Sequence, residues 1–156
     1  MTIISKTDLL LNSLEKFYEK GNNFEIFTDL TNGKEKNVIS LRLLDYLCTK
    51  YCKTNTVIFY LPSNKGKINL YNSYKNQLKA YSKLQFDPFR RHNRIKFTKD
   101  KLEQETTIAQ LNFFKWVIEI GLIDWLTQND NYNLLSIENN MSIDTKRKSK
   151  KIKICA

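Results

Sequence analysis

The chain has 156 residues, of which 41% are hydrophobic and 12% aromatic, enough for a packed core and too many for a disordered protein. Its 26 Lys and Arg residues exceed the 16 Asp and Glu residues, and the formal net charge of +10 favours an anionic partner. One His and three scattered Cys cannot complete a four-ligand zinc site, and 4 Gly and 2 Pro leave little material for a glycine-rich phosphate loop or a proline-rich linker.

Four elements are predicted in the first half of the chain from apolar spacing, caps and turn signals. In chain order they are a helix over 8–20 capped by Thr7 and stopped by Gly21, a short strand over 24–27, a helix over 41–52 capped by Ser40, and a hairpin of 56–61 with 67–71. Cys48 and Cys52 lie four residues apart in the second helix, which favours two buried thiols over a disulfide.

The second half of the chain is predicted to be mostly helical. In chain order its elements are a helix over 73–85 capped by Asn72 or Ser73, a half-buried strand over 94–98, a helix over 107–120 opened by a Thr107 and Gln110 capping box, a short helix over 122–126 and an edge element over 134–137. Tyr74 and Tyr81 share a helix face with Leu78 and are interpreted as core residues. The helix over 107–120 is apolar around most of its circumference, so we expect it to be central.

These elements define an α+β fold. We expect one small, mainly helical domain over 5–140, with the hairpin and the third strand in one small antiparallel sheet. This order suits a winged-helix variant without requiring one. Residues 141–156 lack periodicity and are predicted to be a disordered basic tail. No run approaches the roughly 18 apolar residues needed to cross a bilayer, so no membrane association is expected.

The positive charge is concentrated in two short segments. Residues 71–100 hold 8 basic and 2 acidic side chains, and residues 141–156 hold 6 and 1. Residues 101–140 hold 2 basic and 6 acidic side chains. A chain that was basic only for solubility would distribute its lysines evenly. The two segments are therefore the candidate anion-binding parts of the sequence.

The first basic segment combines a row of lysines with a cluster of arginines. Lys75, Lys79 and Lys83 recur every four residues, which places them along one helix face at a cost in like-charge repulsion. The cluster that follows holds three of the five arginines in the chain, and guanidinium groups match phosphate oxygens in a fork geometry. It consists of Arg90, Arg91, His92, Arg94 and Lys96. Phosphate binding is one explanation of the cluster, and internal salt bridges with acidic residues of 101–140 are the other.

The second basic segment holds six cations within eight positions. They are Lys146, Arg147, Lys148, Lys150, Lys151 and Lys153. Such a run can follow a phosphate backbone without reading sequence, can act as a nuclear-import signal, or can serve only to keep the chain in solution. Without an adjoining apolar face it would bind anionic lipid only weakly.

The sequence predicts no enzymatic activity. His92 and Asn93 invite comparison with an HNH nuclease, but that chemistry needs a second histidine to bind the metal, and the chain has one. Glycine patterns for nucleotide phosphates and a convincing Ser, His and Asp set are also lacking. We therefore expect no catalytic residue, no metal and no other cofactor.

Residues 39–46, 74–83, 86–91 and 105–116 resemble stretches of small basic proteins from nucleocytoplasmic large DNA viruses, including giant viruses of protists. The resemblance covers about residues 38–150. It implies a viral origin, a location in a cytoplasmic viral factory or in the virion, and no known cofactor.

Nucleic-acid binding is the first functional hypothesis, with double-stranded DNA ahead of RNA and a role in viral DNA packaging or transcription. The second is a structural or interaction module of the virion whose basic surface binds an acidic protein. The odd number of cysteines favours a reducing, intracellular compartment, and the basic tail leaves import into the nucleus open.

Overall fold

Four helices of the described part of the chain begin at a side chain that caps them. The computed structural model describes residues 5–32 and 39–154, with side chains as far as residue 147. At each cap a side-chain oxygen accepts a hydrogen bond from a backbone N–H three residues later, which satisfies an otherwise unpaired donor. The capping residues are Ser5, Ser40, Asn69 and Thr107. The caps at Ser40 and Thr107 confirm the predictions, and the other two helices begin earlier than expected.

The helices differ widely in length. They are α1 (Lys6–Glu19), α2 (Asn23–Asn32), α3 (Leu41–Tyr46), α4 (Cys52–Thr54), α5 (Leu70–Gln85), α6 (Ile108–Glu119) and α7 (Leu122–Ile154). A π-helical segment, Leu47–Tyr51, joins α3 to α4. α7 consists of two helical parts, because residues 128–131 have non-helical backbone angles.

The strands form two separate antiparallel hairpins. They are β1 (Ile58–Tyr60) with β2 (Lys67–Asn69), and β3 (Ile95–Lys99) with β4 (Leu102–Thr106). The predicted first hairpin is confirmed, but β3 pairs with β4 rather than extending that hairpin. The expectation of a single three-stranded sheet is therefore wrong. The described residues lack the three-stranded sheet that the winged-helix variant would have used. Sequence reasoning missed β4 because its face carries charged side chains and only Thr106 is buried.

The core lies around α6, as its apolar composition predicts. Seven of its twelve residues are buried, and it packs against α1, α2, α5 and α7. Phe114 meets Phe27 of α2 edge to face, with ring centroids 5.5 Å apart. The Tyr18 hydroxyl of α1 donates a 2.6 Å hydrogen bond to the Leu111 carbonyl. The elements thus form one small α+β domain.

The expectation of a short strand over residues 24–27 is wrong, because this stretch lies in α2. Phe24, Phe27 and Leu30 are buried on one face at helical spacing. The apolar run considered alone is four residues long, and such a run does not separate a strand from a buried helix. Packing of these side chains against Tyr18 and Phe97 favours the helix.

α7 continues beyond residue 140, where the domain is expected to end. Residues 134–137, expected as an edge element, are helical, with Leu134 and Ile137 buried. The helix continues through residues 141–147, and Met141 packs against the core. The boundary expected at residue 140 therefore falls inside a helix that is attached to the domain.

Cys48 and Cys52 are free and buried, which confirms their interpretation as core residues. The Cys52 thiol donates to the Cys48 carbonyl at 3.1 Å. Burial raises the pKa of Cys52 to about 11 and that of Cys48 well above its usual value, so both thiols stay protonated at neutral pH. Within the described residues, no helix combines the length and apolar character needed to cross a membrane.

Candidate nucleic-acid interface

The residues between α5 and β3 form a loop that is fastened to the start of α6. We name residues 86–94 the arginine loop. Four hydrogen bonds hold its backbone and the residue before it: Thr107 Oγ1 donates to the Arg90 carbonyl (3.1 Å), the Asp87 N–H donates to the Ala109 carbonyl (3.2 Å), Gln110 Nε2 donates to the Pro88 carbonyl (3.0 Å) and Asn112 Nδ2 donates to the Gln85 carbonyl (2.9 Å). These bonds satisfy backbone groups that packing against α6 removes from water, so they fix the path of the loop.

Phe86 anchors the start of the arginine loop in the core. Its side chain is 1% exposed, and its ring centroid lies 5.2 Å from that of Phe113 and 5.5 Å from that of Trp116. Tyr74 and Tyr81 of α5 pack against the same ring. Tyr74 is therefore a core residue, as its spacing predicts, and Tyr81 is half-buried and packs against the core.

All three arginines of the loop line one cleft of about 300 Å³, which we name the arginine cleft. Its other lining residues come from α3, the loop, β4 and α6: Leu41, Pro88, Phe89, Glu105, Thr106, Thr107 and Gln110. Three guanidinium groups against a single carboxylate make the cleft positive. Its chemistry therefore suits phosphate or carboxylate groups, which guanidinium binds in a fork geometry.

Two cations of the predicted patch are paired internally. Arg94 Nη1 lies 3.7 Å from Glu105 Oε1. Lys96 Nζ of β3 lies 3.8 Å from Glu103 Oε1 of the paired strand β4. All four side chains are more than half exposed, so each pair contributes at most about 1 kcal/mol and an anionic ligand can compete for the cation. For these two cations, the salt-bridge explanation from the sequence holds.

Arg90 and Arg91 have no ion-pair partner among the described residues. Arg90 is half-buried and Arg91 is exposed. Arg94 Nε donates to the Arg91 carbonyl at 3.2 Å, which holds the third guanidinium against the loop backbone. A guanidinium without a carboxylate keeps its five N–H donors available for a ligand. The two arginines therefore give the cleft its unsatisfied positive charge.

The lysine row on α5 is shorter than predicted. Ser82 has φ 61° and ψ 172°, which breaks the helix immediately before Lys83. Lys75 and Lys79 remain one turn apart and exposed. Lys83 acts instead on Asp45, whose pKa is raised by burial and lowered to a smaller extent by the charge of this lysine. The prediction that three lysines share one face is therefore wrong, and the row consists of Lys75 and Lys79.

Two hydrogen bonds attach α7 to α3 beyond residue 140. The Tyr46 hydroxyl donates to the Asp144 carboxylate, and the Arg42 guanidinium donates to the Thr145 hydroxyl at 3.4 Å. Burial together with the Asp144 carboxylate raises the pKa of Tyr46 to about 12. The phenol therefore stays protonated and keeps donating at neutral pH.

This attachment brings the start of the basic tail to the helix that borders the arginine cleft. Leu41 lines the cleft, and the next residue, Arg42, contacts Thr145. Lys146 and Arg147 follow directly and are exposed. The remaining predicted tail cations lie outside the described side chains: Lys148, Lys150, Lys151 and Lys153. Both basic segments of the sequence thus lie next to α3, through Leu41 and Arg42 respectively.

Several residues of the site were not predicted. Phe89 lines the arginine cleft with 43% of its side chain exposed. The sequence signal that could have identified Phe89 is its position between Pro88 and the arginine pair at 90 and 91. Gln110 was expected only as part of a helix cap, yet it also holds the loop through Pro88. His92 is exposed in the loop, and the described residues contain no group of three side chains that could bind a metal.

A small α+β domain with an arginine-lined cleft is the class of protein that the fold and the site define. The chain belongs to the DUF7197 family, described as a family of unknown function, whose model matches residues 3–156. It is also similar to a protein of Acanthamoeba polyphaga mimivirus named Uncharacterized protein L507, with 32% identity over 152 residues. The match covers 91% of this chain and 56% of the relative, so the chain spans little more than half of that relative's length. No solved structure matches the chain.

The viral relative supports the viral origin that the sequence resemblance implies. The expectations of a basic group of proteins, of a viral factory and of a particular partner go beyond this comparison.

Proposed function

We propose that the chain is a nucleic-acid-binding protein whose arginine cleft contacts phosphate groups. One observation carries this proposal: three arginines of a single anchored loop line one cleft, and two of them have no ion-pair partner among the described residues. The loop backbone is already held by hydrogen bonds to α6, so little backbone freedom is lost when its arginines bind a phosphate, which favours affinity.

The two basic segments have different parts in this proposal. The arginine loop is fixed to α6, so it can set the orientation of a bound strand. The tail begins at α3, the helix whose Leu41 lines the cleft, and adds cations that increase affinity without reading sequence. Double-stranded DNA is the partner first expected, in viral DNA packaging or transcription within the host cytoplasm or the virion.

A second candidate is binding to an acidic viral protein. Arg94 and Lys96 already pair with Glu105 and Glu103, so carboxylates on another protein could be bound by the same side chains. Guanidinium groups fit carboxylate and phosphate alike, so phosphate is placed first for another reason: Arg90 and Arg91 lie in one cleft without ion-pair partners among the described residues, and a nucleic-acid backbone supplies closely spaced anions for both.

The test is a fluorescence anisotropy titration of the full chain with a labelled duplex at about 50 and about 200 mM salt. The variant Arg90→Gln with Arg91→Gln should bind more weakly at the lower salt. The slope of log affinity against log salt concentration should become shallower by up to about 1.8, since each phosphate contact contributes about 0.9 to this slope.

Lys53→Gln with Lys65→Gln is the matched control. It removes the same charge from two exposed residues that do not line the cleft, so it should retain most of the parent affinity. Equal weakening by both double variants would show that only net charge matters. Absence of binding by the parent at about 50 mM salt, both to this duplex and to a labelled single strand, would refute the proposal and favour the acidic protein partner.

A further inference from the structure

Phe89 presents an exposed aromatic ring to the arginine cleft. It lines the arginine cleft, and 43% of its side chain is exposed. Within the described residues its ring contacts no other aromatic ring, unlike Phe86 three residues earlier, which packs against four. The exposed apolar face of Phe89 is therefore available to a ligand.

The backbone around Phe89 is held from both sides. Its N–H donates to Asp87 Oδ1 at 2.9 Å, and the N–H of Arg90 donates to the Asp87 carbonyl at 3.4 Å. Pro88 is buried, and its carbonyl accepts from Gln110 Nε2 at 3.0 Å. An exposed ring on a fixed backbone next to cations is the arrangement that single-strand-binding proteins use, in which bases stack on aromatic side chains while cations follow the phosphates.

We infer that Phe89 stacks on an unpaired base while the arginine cleft holds the adjoining phosphate. This inference rests on the proposed function and names the ligand class of the same site: a single strand, or a duplex with an unpaired nucleotide. Within an intact duplex, the neighbouring bases cover both faces of each internal base, so Phe89 can contact a base face only at the two ends. Under this inference a single strand binds in preference to the intact double-stranded DNA of the first functional hypothesis.

The experiment uses the full chain and three labelled probes of roughly 12 nucleotides: an oligothymidine strand, a strand of the same length without bases, and a blunt duplex. The parent should bind the oligothymidine strand more tightly than the other two. Phe89→Ala should weaken binding to that strand by roughly 5- to 100-fold, because base stacking is lost. The same variant should bind the strand without bases nearly as the parent does, because the phosphate contacts remain.

Two further variants separate stacking from other effects. Leu102→Ala removes an apolar side chain with the same 43% exposure outside the cleft, and it should leave all three affinities unchanged. Phe89→Leu keeps an apolar side chain but no aromatic face, so it should lose most of the affinity that Phe89→Ala loses. Circular dichroism and thermal melting check that each variant folds.

The possible failures are distinguishable. If the duplex binds as tightly as the oligothymidine strand and Phe89→Ala has no effect, the inference is wrong while phosphate binding stands. If Phe89→Leu binds like the parent, the contact is apolar rather than aromatic, which also overturns the inference. If no probe binds, or Arg90→Gln with Arg91→Gln changes nothing, the proposed function itself fails.

Discussion

Replacement of Asn112 by alanine should destabilise the domain and loosen the arginine loop together. Asn112 is 4% exposed, and its Nδ2 donates to the Gln85 carbonyl at 2.9 Å, where α5 ends and the loop begins. The net loss of one hydrogen bond is about 1 kcal/mol, and the cavity left at the buried Asn112 side chain adds about 1–2 kcal/mol. We therefore expect the free energy of unfolding to fall by about 2–3 kcal/mol.

The measurement is urea unfolding followed by tryptophan fluorescence, since Trp116 lies one turn along α6 from Asn112. With a slope of about 2 kcal/mol per molar urea, the midpoint should fall by about 1–1.5 M. The affinity for the oligothymidine strand should also fall, because the residue that leads into the arginine loop loses its attachment to α6.

Asn133→Ala is the matched control. Asn133 is half-buried and donates to the Trp125 carbonyl at 2.8 Å, so it makes the same type of bond away from the loop. It should lower stability by about 1 kcal/mol and leave binding unchanged. A loss below about 0.5 kcal/mol for Asn112→Ala would refute the argument from burial. Equal loss of binding in both variants would refute the link between loop attachment and affinity.

Two further predictions concern stability alone. Burial raises the pKa of Tyr74 from 10.0 to about 12, so the unfolded chain loses this proton at lower pH than the folded chain does. The stability that the neutral phenol provides is therefore complete below pH 10 and is lost between pH 10 and 12. Tyr74→Phe should flatten the fall in unfolding free energy over this range, measured by urea titrations at several pH values, and an unchanged slope would contradict the assignment. Gly121 has φ +76°, and an added Cβ would lie 3.1 Å from Pro62 Cγ. Gly121→Ala should therefore lower the free energy of unfolding by about 1–2 kcal/mol through backbone strain, and further through the close contact with Pro62. Gly21→Ala, at φ +49° with nothing within 4 Å, should lower the melting temperature less, and the reverse order would show that the contact with Pro62 is harmless.

Features that act over three or four residues were predictable from the sequence. Ser40 and Thr107 cap their helices as expected, because a cap needs only its own side chain and the N–H three residues later. The apolar circumference of α6 predicted a central helix, since so much apolar surface has to be covered on all sides. The first hairpin followed from its β-branched and aromatic residues and the turn between the strands.

Packing decided the elements for which the local pattern allowed two structures. The aromatic run at 24–27 fits a strand by composition, but α1 and β3 offer a surface that buries Phe24 and Phe27 on one helical face. The even spacing of Lys75, Lys79 and Lys83 predicted one row, and the backbone angles of Ser82 interrupt it. The helix at 24–27 depends on neighbours distant in sequence, and the spacing of the lysines alone does not reveal the break at Ser82.

The candidate site shows the same division. The sequence by itself determined that three arginines lie within five residues, which predicted a local concentration of positive charge. Only the tertiary structure placed their loop on α6, paired Arg94 with Glu105, left Arg90 and Arg91 without ion-pair partners among the described residues, and exposed Phe89 beside them. The reason is physical: charge depends on residue types, whereas the availability of a cation or a ring depends on what the folded chain brings against it.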